Sequence, residues 1–199
     1  MILLRSSLIV FVGLVLLNNC WAQDSNLIKR EFVLVNGYSP KSIVFLGKTA
    51  NASTTFVKLE YRKQTNKSFF GNPLYYQFGI IPFIEFDYPK RDEGGRSALT
   101  KGFGISPFGL GISNPISKKI DYSVYSYSGI ILVDDRFPTD KGRKLNYTFS
   151  LSFDTIFKTS EYISLSLGYK FHHISNAQTG TENPGIDSNF LTISLIISK

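Results

Sequence analysis

The sequence predicts an all-β protein, and within that class an eight-stranded antiparallel transmembrane β-barrel of the outer-membrane kind. Three observations lead there. Long stretches alternate between apolar and polar residues, as strands with two unlike faces require. No helix-length apolar run follows residue 22, although the hydrophobic fraction is an ordinary 43%. Aromatics make up 15% of the chain, with 17 Phe and 11 Tyr, which fits a barrel with aromatic girdles at both membrane interfaces. A soluble barrel or sandwich is the alternative, because alternation alone does not separate the two.

Residues 1–22 read as a secretory signal peptide. Arg5 gives a basic start, and Leu8 to Leu17 is an apolar core too short to span as a helix. Cys20-Trp21-Ala22 places small residues before a cleavage point after Ala22. Acylation at Cys20 is the alternative, opposed by Asn18 and Asn19 where small residues are wanted. Residues 23–199 then form one barrel domain. Cys20 is the only cysteine, so cleavage leaves none for disulfides or for a cysteine-based zinc site. Two histidines alone make a poor metal site, and no metal or cofactor is expected. The net charge of +7 suits an anionic partner, and an exported chain points to phosphorylated lipid, not to nucleic acid.

The strands follow in order. Leu27 to Asn36 is a first strand, and Gly37 to Ala52 a turn-rich connection. Thr55, Val57, Leu59 and Tyr61 alternate with Phe56, Lys58, Glu60 and Arg62, the charged face suiting a polar barrel interior. Asn66 to Pro73 reads as a loop. Leu74 to Tyr88 is a long third strand with one even face, and Pro82 predicts a bulge because it removes a ladder donor. After the charged loop Lys90 to Arg96, Leu99 to Ile112 is a Gly-rich fourth strand interrupted by Pro107. Asn114 to Lys119 is a turn, Ile120 to Val133 a fifth strand, and Asp134 to Arg143 a second charged loop. Leu145, Tyr147, Phe149, Leu151 and Phe153 against Asn146, Thr148, Ser150, Ser152 and Asp154 is the cleanest alternation in the chain. Phe157 to Glu161 turns into a final hairpin, which completes an even count of eight.

That hairpin carries the chemistry. Ile163, Leu165, Leu167, Tyr169 and Phe171 form an odd, apolar face, and Ser164, Ser166, Gly168, Lys170 and His172 an even, polar one. His173 and Ser175 continue the odd face. After a polar loop, Asp187 opens the next odd series, Asn189, Leu191, Ile193, Leu195 and Ile197. If both odd faces point outward, His173, Ser175 and Asp187 meet on the lipid side at the loop end. These are the residue types of a base, a nucleophile and an orienting acid, where a lipid-facing strand should be apolar and ionisable groups are costly. Singly, His173 reads as a rim histidine, Ser175 as a strand residue and Asp187 as a turn former. His172 has the opposite parity and belongs to the barrel interior. Asn176 is either a cap at the start of the loop or an oxyanion donor.

His173-Ile174-Ser175-Asn176-Ala177, followed by Asn183-Pro184-Gly185, resembles the signature of the PagL-type lipid A 3-O-deacylases, or acyloxyacyl hydrolases. The resemblance implies a small outer-membrane barrel with both termini in the periplasm, membrane length and closure. It implies an esterase that removes the 3-O-linked acyl chain of lipid A in the outer leaflet. It assigns His173 and Ser175 to a triad and Asn176 to the oxyanion hole. The best-known members of the family carry Glu fourteen positions after the His; here that position is Asp187. Partners implied are lipopolysaccharide and the membrane, with a homodimer left open beside a monomer. The second functional reading is a non-catalytic outer-membrane barrel with structural or adhesive loops.

Overall fold

Alternation is what closes this chain on itself. In the computed structural model, which describes residues 20–22, 28–90 and 93–199, eight long strands carry it. They are β1 (Arg30–Ser39), β2 (Ser53–Phe69), β3 (Asn72–Lys90), β4 (Arg96–Pro115), β5 (Ile120–Phe137), β6 (Arg143–Lys158), β7 (Ile163–Ser175) and β8 (Ile186–Ser198). Each pairs antiparallel with its sequence neighbours, and β8 pairs back onto β1, so the sheet is a closed eight-stranded barrel. Closure pairs the first long strand with the last and so removes the two open edges that a flat eight-stranded sheet would have. Two short pieces hang on this ring. Ser42–Ile43 pairs with the start of β8, and Cys20–Ala22 lies beside Lys67–Phe69. The expected signal peptide otherwise falls outside the described residues.

The two faces separate as the alternation requires. Leu165, Leu167, Tyr169, Leu191, Ile193 and Ile197 are exposed on the outside. Inside, the end of the barrel nearest the β7–β8 loop is plugged by apolar side chains such as Phe86, Phe137, Ile174, Ile186 and Phe190. Further in, charges are buried in mutual contact. Glu60 takes Lys58 Nζ at 3.0 Å and the Arg62 guanidinium at 2.7 Å. Lys58 and Arg62 also lie over the rings of Tyr127 and Tyr125. Buried charges survive only when paired in this way.

Several boundaries differ from the sequence expectation. The loop expected from Asn66 to Pro73 is a two-residue turn, Phe70-Gly71, with φ of 49° and 75°. Positive φ at both central positions matches the twist of a tight hairpin, and only the glycine advertised it. The first strand runs to Ser39, three residues past the expected Asn36. Pro82 does produce a bulge, with the β3–β4 register shifting between Ile81 and Ile84. The bulge also flips the strand. Phe78 and Ile80 face out, whereas Ile84, Phe86 and Tyr88 face in, so the expected single even face of β3 is two half-faces. Pro107 marks a second shift, between Ile105 and Phe108 on the β4–β5 ladder.

Candidate active site

The β7–β8 ladder pairs His173 directly with Asp187 and Ile174 with Ile186. Inward Ile174 and Ile186 are fully buried and anchor the outer end of the hairpin. His173 and Asp187 therefore share the outer face, and His173 Nδ1 lies 2.6 Å from Asp187 Oδ1. Ser175 is on the same strand face two residues on, about 7 Å farther along the strand. On the other side, β6 sets Phe149 against His173 and Tyr147 against Ser175. With Nδ1 engaged by Asp187, Nε2 is the ring nitrogen left for Ser175. Neither that nitrogen nor the Ser175 hydroxyl has a hydrogen bond among the described residues.

Asp187 is not open to lipid as its parity alone would have it. It is fully buried, beneath a strap formed by residues 40–52. The strap leaves the barrel wall at Ser39, whose Oγ accepts the Asn189 N–H at 3.1 Å. Ser42 then ties the strap to itself, donating through Oγ to the Thr49 carbonyl and accepting from the Ala52 N–H, both at 2.9 Å. The backbone N–H groups of Phe45, Leu46 and Gly47 converge on Asp187 Oδ2 at 3.0, 2.6 and 2.7 Å. The far side of the strap runs along the last residues of the outer loop, with Lys48 N–H donating to Pro184 O and Thr49 N–H to Gly185 O. The sequence marks this segment only as a turn-rich connection, with Gly37, Pro40 and Gly47, and carries no sign of its contact with Asp187.

Asn176 is buried and braces the loop that follows Ser175. Its N–H donates to Asn183 Oδ1 at 2.8 Å and its Nδ2 to Glu182 O at 2.7 Å. The next two residues, Ala177 and Gln178, both have positive φ, 51° and 67°. Left-handed backbone at non-glycine residues costs energy and concentrates at functional sites. Neither N–H has a hydrogen-bond partner among the described residues. Nothing in the identities of Ala and Gln could have announced this.

The other candidates separate cleanly. His172 points inward, with Nδ1 bonded to Ser150 Oγ at 2.8 Å and its ring edge-on to Phe190. Glu182, the other carboxylate of the loop, pairs with Lys141 at 3.3 Å and does not touch His173. Gly185 has φ 62° and lies so close over the imidazole that a Cβ there would sit 3.0 Å from His173 Cε1. Below the site, Leu191 is flanked on the outer face by Tyr38 and Tyr169, its partners on the two neighbouring strands. Tyr169 Oη donates to Asn189 Oδ1.

A model of a known family, described as lipid A 3-O-deacylase (PagL), matches residues 51–195. The chain belongs to this family. The match includes β2 to β7 in full and the whole His173–Asp187 hairpin, while the strap up to residue 50 precedes it. Among solved structures, the crystal structure of the outer membrane enzyme PagL is similar at 15% identity and a TM-score of 0.51, covering 84% of this chain and 98% of that one. Neisserial surface protein A is similar at 9% identity and a TM-score of 0.51, covering 85% of this chain and 96% of that one. At such identities the likeness is one of fold. No curated protein sequence matches the chain.

Proposed function

We propose that this protein is an outer-membrane esterase that hydrolyses the 3-O-linked acyl chain of lipid A. The observation that carries the reading is the His173–Asp187 pair on the outer wall, next to an unpartnered Ser175, in a chain of this family. Tyr38 and Tyr169 mark an interfacial aromatic level. Asp187 lies four residues outward of Leu191, about 13 Å along the strand. That height suits an ester linking an acyl chain to a sugar. The barrel is accordingly read as exported through the signal peptide, with both termini in the periplasm and the site at the outer leaflet.

In the proposed mechanism, Ser175 Oγ attacks the ester carbonyl while His173 Nε2 takes its proton. The C–O bond to the sugar then breaks, and His173 returns the proton to the departing sugar hydroxyl. Water attacks the acyl-serine, again giving its proton to His173, and collapse releases the fatty acid and restores Ser175. Asp187 fixes the imidazole tautomer and balances its charge. The tetrahedral oxyanion is met at the loop after Ser175, by the second amide hydrogen of Asn176 and the free N–H groups of Ala177 and Gln178. One such donor contributes about 3 kcal/mol in comparable sites. Apolar outer residues, Tyr169, Phe171 and Leu191 among them, border the acyl chain.

Mass spectrometry of lipid A from a Gram-negative host tests this. Expression of the protein should lower the lipid A mass by one 3-O-linked acyl chain, and Ser175→Ala should not. Unchanged lipid A, with the barrel folded and the purified protein also inactive on lipid A micelles, would overturn the reading.

A further inference from the structure

Three consecutive backbone N–H groups aimed at one carboxylate oxygen are an anion nest made by the strap, not by the barrel. We propose that residues 45–47 are a positioning element of the hydrolytic site: they lock Asp187 through Oδ2, so that Oδ1 alone is presented to His173. The proposal rests on the triad reading above and adds the part of the chain that holds the acid in place.

The geometry is specific. A carboxylate with no exposed surface loses its hydration and must recover it from donors. Asp187 recovers it from four, the imidazole on one oxygen and three amides on the other. Charge-assisted bonds of this number fix both the position and the rotation of the carboxylate. A lone acid on the outer wall would be free to turn.

The strap is itself held at both flanks. Ser42–Ile43 pairs with Ser188 and Asp187 of β8, and Lys48 and Thr49 bond to Pro184 and Gly185. Gly47 sits where these meet. A Cβ there would lie 2.8 Å from the Gly185 carbonyl carbon and 2.9 Å from its oxygen, so any larger residue must lift the strap. Such a shift moves Gly47 N–H away from Oδ2 and disturbs the backbone covering His173. The aspartate fits the same picture. Its short side chain keeps the carboxylate close to the β8 backbone, leaving room for the strap to pass over it. Outside, Ile43, Val44 and Phe45 are exposed, and the Phe45 ring packs edge-on against Phe171 at 5.9 Å. This apolar lip shields the His173–Asp187 hydrogen bond from water on the lipid side.

Gly47→Ala is the test, with turnover measured on lipid A in detergent micelles and folding read from heat-modifiable gel mobility. Folded Gly47→Ala should lose about a hundredfold in kcat, the cost of displacing a catalytic group by about 1 Å. KM should stay within about twofold, because no contact to substrate is removed. Asp187→Ala supplies a readout independent of activity. Amide hydrogen exchange of Phe45, Leu46 and Gly47 should speed up at least about tenfold with their acceptor gone. Lys48 and Thr49, bonded to the outer loop, should keep their protection. Wild-type kcat in folded Gly47→Ala, or unchanged exchange at 45–47 in Asp187→Ala, overturns the proposal. Ser175→Ala run alongside separates the two claims. An active Ser175→Ala would defeat the ester mechanism, whereas an inactive one beside a fully active Gly47→Ala would defeat the strap alone.

Discussion

His173 and Asp187 stand opposite each other on the β7–β8 ladder, with Nδ1 and Oδ1 2.6 Å apart across a separation of fourteen residues. Direct opposition means that strand register, and not a flexible side chain, brings them together. A slip of one residue would turn one of them into the barrel interior. Ile174 and Ile186, buried side by side on the inner face, set that register.

The full environment of Asp187 predicts how its variants behave. Asp187→Ala removes the partner of His173 and leaves three strap N–H groups without an acceptor. Turnover should fall by about 10³- to 10⁴-fold, the scale seen when an orienting acid is lost. Asp187→Glu keeps the charge but adds a methylene where there is no free surface. Overpacking of this kind costs about 1–3 kcal/mol and displaces the carboxylate, so turnover should drop about tenfold or more. Fatty-acid release per folded protein checks both. A fully active Asp187→Ala would remove the acid from the mechanism.

Glu182 gives the matching negative prediction. Its carboxylate is on the exposed side of the loop, paired with Lys141. Exposed ion pairs contribute about 0–1 kcal/mol. Glu182→Ala should therefore keep wild-type turnover and nearly wild-type stability. A large loss in this variant would show that Glu182 reaches His173 in solution.

The strand rhythm was legible in the sequence because the barrel wall is thin and two-faced, so every residue reports its side. Leu145 to Phe153 and Ile163 to Phe171 needed nothing beyond period two. The same rule placed His173 and Asp187 on one face and His172 on the other. It failed at Pro82, where a bulge adds a residue and exchanges the faces of β3 for the rest of the strand. It also had nothing to say about the strap. Phe45, Leu46 and Gly47 act through backbone N–H groups, which every residue but proline carries, so their identities encode no donor role. Ala177 and Gln178 are hidden for a similar reason, since their positive φ is imposed by the loop that Asn176 braces and not by their own preference.

Membrane placement has its own expected outcome. The outer face of β7 and β8 is a continuous apolar band, Ile163, Leu165 and Leu167 beside Ile193, Leu195 and Ile197, all exposed. Soluble monomers rarely leave a contiguous apolar band in water. The protein should fractionate with the outer membrane and show a lower apparent mass when loaded unheated than after boiling. Recovery as a soluble periplasmic monomer would exclude a membrane barrel.

The two adjacent histidines allow the strictest comparison of catalyst with scaffold. Ser175→Ala removes one hydroxyl that holds no hydrogen bond, so stability should change by less than about 0.5 kcal/mol. Turnover should nevertheless fall by several orders of magnitude, because the nucleophile is gone. His173→Ala should be similarly inactive, and Ser175→Ala/His173→Ala hardly worse than either alone, since members of one catalytic unit do not add. His172→Ala changes the same residue type one position away, but on the inner face. It loses the Ser150 bond and the packing on Phe190, and leaves a cavity in the barrel. That should cost about 1–3 kcal/mol of stability. Its folded fraction should still release the fatty acid at nearly the wild-type rate, because no atom of His172 reaches the outer wall. Acyl release per folded barrel, measured for all four variants in the same micelles, decides the matter. If His172→Ala abolished release while His173→Ala spared it, the outward assignment of the catalytic face would be wrong.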